Sequence, residues 1–237
     1  MLATALLTAN DTDYDVMSPV AKRSANHDPL AERLRIGLLK TIEAKDHIYR
    51  CGDAASHVYQ VDSGHVCVYR TLSDGRRQVI DFAYPGDIIG LGAIDQHADS
   101  AQAITKVRMR CIRTSTLRQA AQQDGRLGLR LCDAVSRELL ASRELLFTVG
   151  RCTANERLAA FLMGLSRRNQ RNGADPDEFV LPMTRWDIAD FLGLTIETVS
   201  RSFTKLREEG IIDIEQCVLV TIVDHAALAR IAEGQGR

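Results

Sequence analysis

No apolar run in this 237-residue chain approaches the roughly 20 residues that carry a helix across a bilayer, so nothing in it reads as a membrane span. Positive charge is not in surplus either: 30 Lys and Arg stand against 31 Asp and Glu, a net charge of −1. No broad basic field announces nucleic acid, and any such contact must rest on local groups. The P-loop, the dinucleotide glycine motif and H-E-x-x-H are all missing, which removes the common enzyme signatures, and no catalytic residue is expected. The cysteines at Cys51, Cys67, Cys111, Cys132, Cys152 and Cys217 form no C-x-x-C pair and no cluster with histidine. Neither a metal centre nor any other cofactor is expected from them. A thiol oxidoreductase is the one enzymatic alternative, and it needs a paired reactive cysteine. The alternation around Cys67 marks a buried small residue, and Cys217 is the thiol expected at the surface. The opening MLATALLTA lacks a basic start and runs at once into Asn10, Asp11 and Asp13. No secretory leader is expected, the protein is read as cytoplasmic, and 1–28 is read as a flexible arm.

What is present is most informative over 184–210, TRWDIADFLGLTIETVSRSFTKLREEG. Thr184 with Asp187 three residues on makes a capping-box-like start, Ile188, Ala189 and Leu192 line one side, and Gly193 is a C-terminal stop. Thr195 then caps a second helix whose apolar positions are Ile196, Val199, Phe203 and Leu206. The opposite stripe is Glu197, Ser200, Arg201 and Thr204. Helix, glycine turn, helix is the helix-turn-helix arrangement, and the second helix presents its N-terminal part to the major groove. Arg suits guanine, Glu suits cytosine, and Ser suits several edges, so Glu197, Ser200 and Arg201 are candidate base readers. An exposed Glu197–Arg201 ion pair on an ordinary helical hairpin is the competing explanation.

The flanks extend the pattern. After Gly210, two Ile- and Val-rich runs broken near Glu215 and Gln216 predict a β-hairpin, the wing of a winged helix. Leu158, Ala159, Leu162 and Leu165 predict a further helix over 153–171, and a domain of helix, hairpin, two helices and wing is expected. The arginines of 167–171 are read as solvated helix surface. Between Thr41 and Thr116, Gly52, Gly64, Gly75 and Gly86 recur beside turn formers, with short alternating runs between them. A small barrel or roll is predicted, with the Asp74-Gly75 hairpin as its clearest turn. From Leu117 to Val149 the spacing predicts one long helix with two apolar stripes. Leu131, Val135, Leu139, Leu146 and Val149 form the stripe expected to meet a second copy; Leu127, Ala134, Ala141 and Leu145 form the one expected to pack on the roll.

A roll with those glycines, a long helix and the C-terminal MTRWDIADFLGLTIETVSR together resemble the CRP/FNR family of bacterial transcription regulators. NERLAAFLMGLSRR and LTIETVSR resemble its FNR and FixK branch in particular. The resemblance implies an α+β fold: an N-terminal jelly roll like cyclic-nucleotide-binding domains over 29–118, a dimerisation helix over 119–150, and a winged helix-turn-helix over 151–237. It implies a homodimer that binds double-stranded DNA and RNA polymerase and that activates genes of low-oxygen respiration or nitrogen fixation. In that branch the E-x-x-S-R pattern reads TTGAT-type inverted repeats. Here it falls on Glu197, Ser200 and Arg201, with Ile196 where the CRP branch carries an arginine. Thr184, Thr195 and Thr198 resemble phosphate-binding positions, and the polymerase-facing surface is expected near Asp74 to Arg77. Two departures matter. No cysteine precedes Cys51, so the iron–sulfur ligand group of the oxygen sensors is incomplete, with only Cys111 near a ligand position. The stretch IIGLGAIDQHADSAQA lacks the Gly-Glu and Arg-Ser that hold a cyclic nucleotide. A regulator active as made is expected; the alternative is an effector-dependent sensor whose roll binds another small molecule.

Overall fold

The computed structural model describes residues 28–235, so the arm expected over 1–28 lies outside the described residues except for its last member. Asp28 caps α1 (Pro29–Arg35) through the Leu30 N–H, and Leu30 and Leu34 are buried beneath it. Eight strands follow: β1 (Leu38–Ile42), β2 (His47–Tyr49), β3 (His57–Ser63), β4 (Val66–Thr71), β5 (Arg77–Ala83), β6 (Ile88–Ile89), β7 (Ser100–Ala103) and β8 (Val107–Arg113). They make two antiparallel four-stranded sheets, ordered β1-β8-β3-β6 and β2-β7-β4-β5. Alternation sends Val107, Met109 and Cys111 of β8 inward to meet Val61, Val66 and Ala101. Gly64 turns the chain at φ +85°, where a Cβ would lie 2.3 Å from the Lys106 carbonyl oxygen. No side chain fits there. Gly75, at φ +88°, closes the β4–β5 hairpin.

The long helical pattern is two helices, α2 (Thr114–Gln123) and α3 (Gly125–Arg151). Asp124 breaks it: its backbone is extended, and its carboxylate accepts from the Arg126 and Leu127 N–H groups. A capping carboxylate there competes with helix continuation, so the arm expected from 119 starts at Gly125. The stripes also need regrouping. Leu131 packs with Leu127, Ala134, Leu30 and Leu34 of its own chain, and half-buried Val149 reaches the turn at Gly193. Val135, Leu139 and Leu146 are exposed, joined by Leu129, Leu140 and Phe147, at 43 to 75% of their full area. That is an apolar strip left exposed by the described residues of its own chain.

The C-terminal part consists of α4 (Ala154–Arg171), β9 (Glu178–Val180), α5 (Arg185–Leu192), α6 (Ile196–Glu208), β10 (Ile212–Glu215), β11 (Leu219–Ile222) and α7 (His225–Ala232). Thr153 and Glu156 close a reciprocal cap on α4. The wing is the β10–β11 hairpin, and β9 pairs with β11 where a separate hairpin was expected ahead of α5. Roll and reader share one core: Cys67, Val79 and Phe82 pack with Phe161, Phe191 and Leu162, and the Phe82–Phe191 ring centroids stand 5.3 Å apart. The arginines of 167–171 are not simply solvated. Arg168 is buried, bound through Nη2 to both carboxylate oxygens of Asp87 at 2.9 Å and lying 4.3 Å over the Tyr84 ring.

Asp81, on β5, has one oxygen accepting from the Phe82 N–H, and burial with the nearby Asp87 charge pushes its carboxyl up to about 7. The unfolded chain releases this proton near pH 4, so between about 4 and 7 the folded state holds the extra proton. Stability from this group is therefore lost as pH rises across that window. Asp81→Asn is expected to flatten the slope and raise the thermal midpoint above pH 7, which thermal unfolding across pH would show.

Candidate nucleic-acid interface

The two reader helices are fixed by local chemistry. Thr184 Oγ1 accepts from the Asp187 N–H at 3.2 Å, and Asp187 Oδ2 accepts from the Thr184 N–H at 3.0 Å and its hydroxyl at 2.7 Å. The Thr184 hydroxyl proton is therefore committed to Asp187. Gly193 ends α5 in the left-handed conformation, φ +63°, and two residues later Thr195 caps α6 by accepting from the Thr198 N–H. The Thr195 and Thr198 hydroxyls lie 3.0 Å apart.

From that start α6 presents two faces. Val199, Phe203 and Leu206 are buried, with Ser202, while Ile196 is half-buried against the same core. Glu197, Ser200, Arg201 and Thr204 are exposed together. The guanidinium of Arg201 sits 3.4 Å from Thr198 Oγ1, and among the described residues no ion pair joins it to Glu197. The competing explanation of the two residues thus keeps a charge attraction without a close ion pair. Hydrogen bonds from its own backbone N–H and from Thr195 hold the Glu197 carboxyl below the usual range, so it is an acceptor at neutral pH.

Neighbouring groups take other roles. Arg185 stacks its guanidinium 3.3 Å over the Phe203 ring, bracing α5 on α6, and burial lowers it to about 10, still charged at neutral pH. The wing turns through Gln216 and Cys217, both left-handed at φ +49° and +64°, and Cys217 is exposed as expected. Cys67 and Cys111 are buried. Among the described residues no three His, Cys, Asp or Glu side chains stand together as a metal site requires. The groove between roll and α3 is lined by Asp81, Asp99 and Glu138 beside Tyr49 and His97. Two arginines on its rim, Arg110 and Arg130, are tied to Asp62 and Asp28. Of the surface expected to face polymerase, Asp74 and Arg76 are exposed, but Arg77 turns onto α5, 3.0 Å from Asp187.

A roll, a long helix with an exposed apolar strip, and a winged helix-turn-helix define a DNA-binding transcription regulator. Residues 39–124 match the family model described as a cyclic nucleotide-binding domain, and 156–231 match the Crp-like helix-turn-helix domain. The chain is 38% identical to the nitrogen fixation regulation protein FixK of Azorhizobium caulinodans, over 83% of this chain and 79% of that one. It is 40% identical to the FixK of Rhizobium meliloti, over 81% and 85% of the two chains. The solved structure of FixK2 from Bradyrhizobium japonicum superposes with a TM-score of 0.79 at 35% identity, covering 83% of this chain and 97% of that one. The chain belongs to the CRP/FNR family of transcription regulators and is FixK-like within it. Its relatives are transcription regulators of that family, not enzymes. No helix among the described residues is long and apolar enough to cross a membrane.

Proposed function

We propose that this protein is a cytoplasmic activator that binds TTGAT-type inverted repeats as a homodimer and recruits RNA polymerase at genes of low-oxygen respiration or nitrogen fixation. The observation that carries the reading is the outward face of α6, where Glu197, Ser200 and Arg201 are exposed while Val199, Phe203 and Leu206 anchor the helix. Arg201 bonds guanine, Glu197 takes the amino group of the facing cytosine, and Ser200 lies near a thymine. Ile196, half-buried at the start of α6, leaves the preceding base without an arginine. Thr195 and Thr198 lie where phosphates pass, and Thr184 joins them by turning its hydroxyl proton from Asp187 to a phosphate oxygen. The units divide at Asp124 and Cys152: roll with α2, arm, reader.

The regulator works as made, with no bound cluster and no cyclic nucleotide. In the groove beside the roll, Arg110 and Arg130 are already tied to Asp62 and Asp28, and Asp99 adds a negative charge, which disfavours a bound phosphate. In titrations without added effector, the purified protein is expected to bind a labelled TTGAT inverted repeat far more tightly than a scrambled duplex, with affinity falling steeply as salt rises. Equal binding to both duplexes overturns the reading.

Dimerisation runs through the exposed strip of α3. Leu139→Glu combined with Leu146→Glu places charge where two helices meet without water, and each unpaired charge costs several kcal/mol there, on the order of the whole pairing energy. Light scattering is expected to give the monomer mass and the inverted repeat to lose its tight binding, while helix content stays unchanged. A dimer of unchanged stability sinks the assignment.

A further inference from the structure

The link between arm and reader is short. α3 ends at Arg151, Cys152 is extended at φ −84° and ψ 148°, and Thr153 already caps α4. So brief an extended link acts as a hinge and fixes no angle by itself. The angle of the reader comes from side contacts.

Those contacts converge on α5 from neighbouring residues of one roll strand. Arg77 Nη1 donates to Asp187 Oδ1 at 3.0 Å and lies 3.8 Å from Asp190. The other oxygen of Asp187 closes the cap of α5 on Thr184, so one carboxylate joins the start of the first reader helix to the roll. Arg77 is held in turn: its Nη2 lies 2.9 Å from Cys67 Sγ, and its guanidinium carbon stands 4.4 Å over the Tyr69 ring. Gln78 takes the other end of α5. Its Nε2 donates to the Asp190 carbonyl at 2.6 Å and shares its second hydrogen between the Val79 carbonyl at 3.1 Å and the Phe191 carbonyl at 3.3 Å; the two α5 carbonyls are groups that the last turn of a helix leaves unpaired. Arg157 completes the brace by joining the Cys152 carbonyl at the hinge to that of Leu192 at the end of α5.

We propose that Arg77 and Gln78 are positioning residues that set the angle of the reader on its own roll, and thereby the half-site spacing that the dimer accepts. The claim rests on the inverted-repeat reading above. One base pair added between half-sites moves them apart by about 3.4 Å and rotates them by about 35°. A reader clamped at both ends of α5 cannot follow such a change, whereas one held by the apolar core and the Arg168–Asp87 pair alone, which fix no orientation at the ends of α5, can.

The test uses the full-length dimer and inverted repeats whose central gap is optimal, one base pair longer or one shorter. Wild type is expected to lose about tenfold or more in affinity when the gap changes, in keeping with spacing as a geometric constraint. Arg77→Ala with Gln78→Ala is expected to bind the best spacing several-fold more weakly and to treat all three gaps within about threefold. A changed guanine in the half-site should cost this variant as much as it costs wild type, and Arg77→Lys, which keeps the charge, should restore most of the spacing preference. A variant with the wild-type unfolding midpoint and undiminished spacing preference overturns the proposal. Should the double variant not fold, Gln78→Leu removes the donors at constant bulk and is judged by the same two outcomes. If wild type fails to prefer TTGAT, the spacing series is run on the repeat selected from random duplexes, so that a failed base assignment and a failed clamp are told apart.

Discussion

Arg168→Ala is expected to lower folding stability by about 3 to 5 kcal/mol, the range for removing one partner of a buried ion pair. Its guanidinium lies in the seam between α4 and the roll, where side-chain exposure of both Arg168 and Asp87 is 4%. Two Nη2 bonds at 2.9 Å reach the Asp87 carboxylate, and the Tyr84 ring covers the cation. Removing the arginine takes from the buried Asp87 carboxylate two charge-assisted bonds, while the Tyr84 N–H still donates to it at 2.8 Å. The thermal midpoint should fall by on the order of 10 °C for a chain of this size. Arg168→Met with Asp87→Leu removes both charges at similar volume, and most of the loss should return, because the penalty lies in a buried carboxylate deprived of the Arg168 bonds and not in the absence of the pair. Denaturant unfolding of the three variants checks this. A single variant within about 1 kcal/mol of wild type would show the pair to be solvated.

The seam also explains which parts of the molecule the sequence disclosed. The reader helices were legible because their signals are local: Thr184 with Asp187, Gly193 and Thr195 each act within one turn. The roll was legible through its turns, since Gly64 and Gly75 stand where positive φ is required. Arg168 carries no such local mark, and its partner Asp87 is distant in sequence. One signal was available: Arg168 continues the inward series Leu158, Leu162, Leu165 at helical spacing, and a charge on that series points to a buried partner. Leu131 likewise follows Leu127 by four and precedes Ala134 by three, which places it on the inward stripe of α3. The break at Asp124 is harder to see, because the apolar pattern continues through it and only the cap reveals the new start. β9, at three residues, is too short for periodicity to mark; pairing with β11 defines it.

Arg201→Ala is expected to weaken binding to the TTGAT inverted repeat by about 1 to 3 kcal/mol per half-site, and a symmetric dimer meets the loss twice. The argument is chemical. Arginine can offer guanine two donors at once, and alanine leaves both acceptors of the base facing an apolar surface. Glu197→Ala removes the acceptor for the cytosine amino group and should relax the preference at that position rather than weaken all sequences alike. Both side chains are exposed, so neither change should move stability by more than about 0.5 kcal/mol. A surface ion pair forecasts an equally small change in stability, about a few tenths of a kcal/mol, but no dependence on base sequence. The two accounts separate cleanly in competition titrations against operators changed one base at a time. For Arg201→Ala the discrimination at guanine should collapse while the salt dependence stays close to that of wild type, since a base contact releases few counterions. If the variant instead loses affinity equally for every operator and its salt slope falls, Arg201 is a phosphate contact, and the register of α6 in the groove must be shifted accordingly.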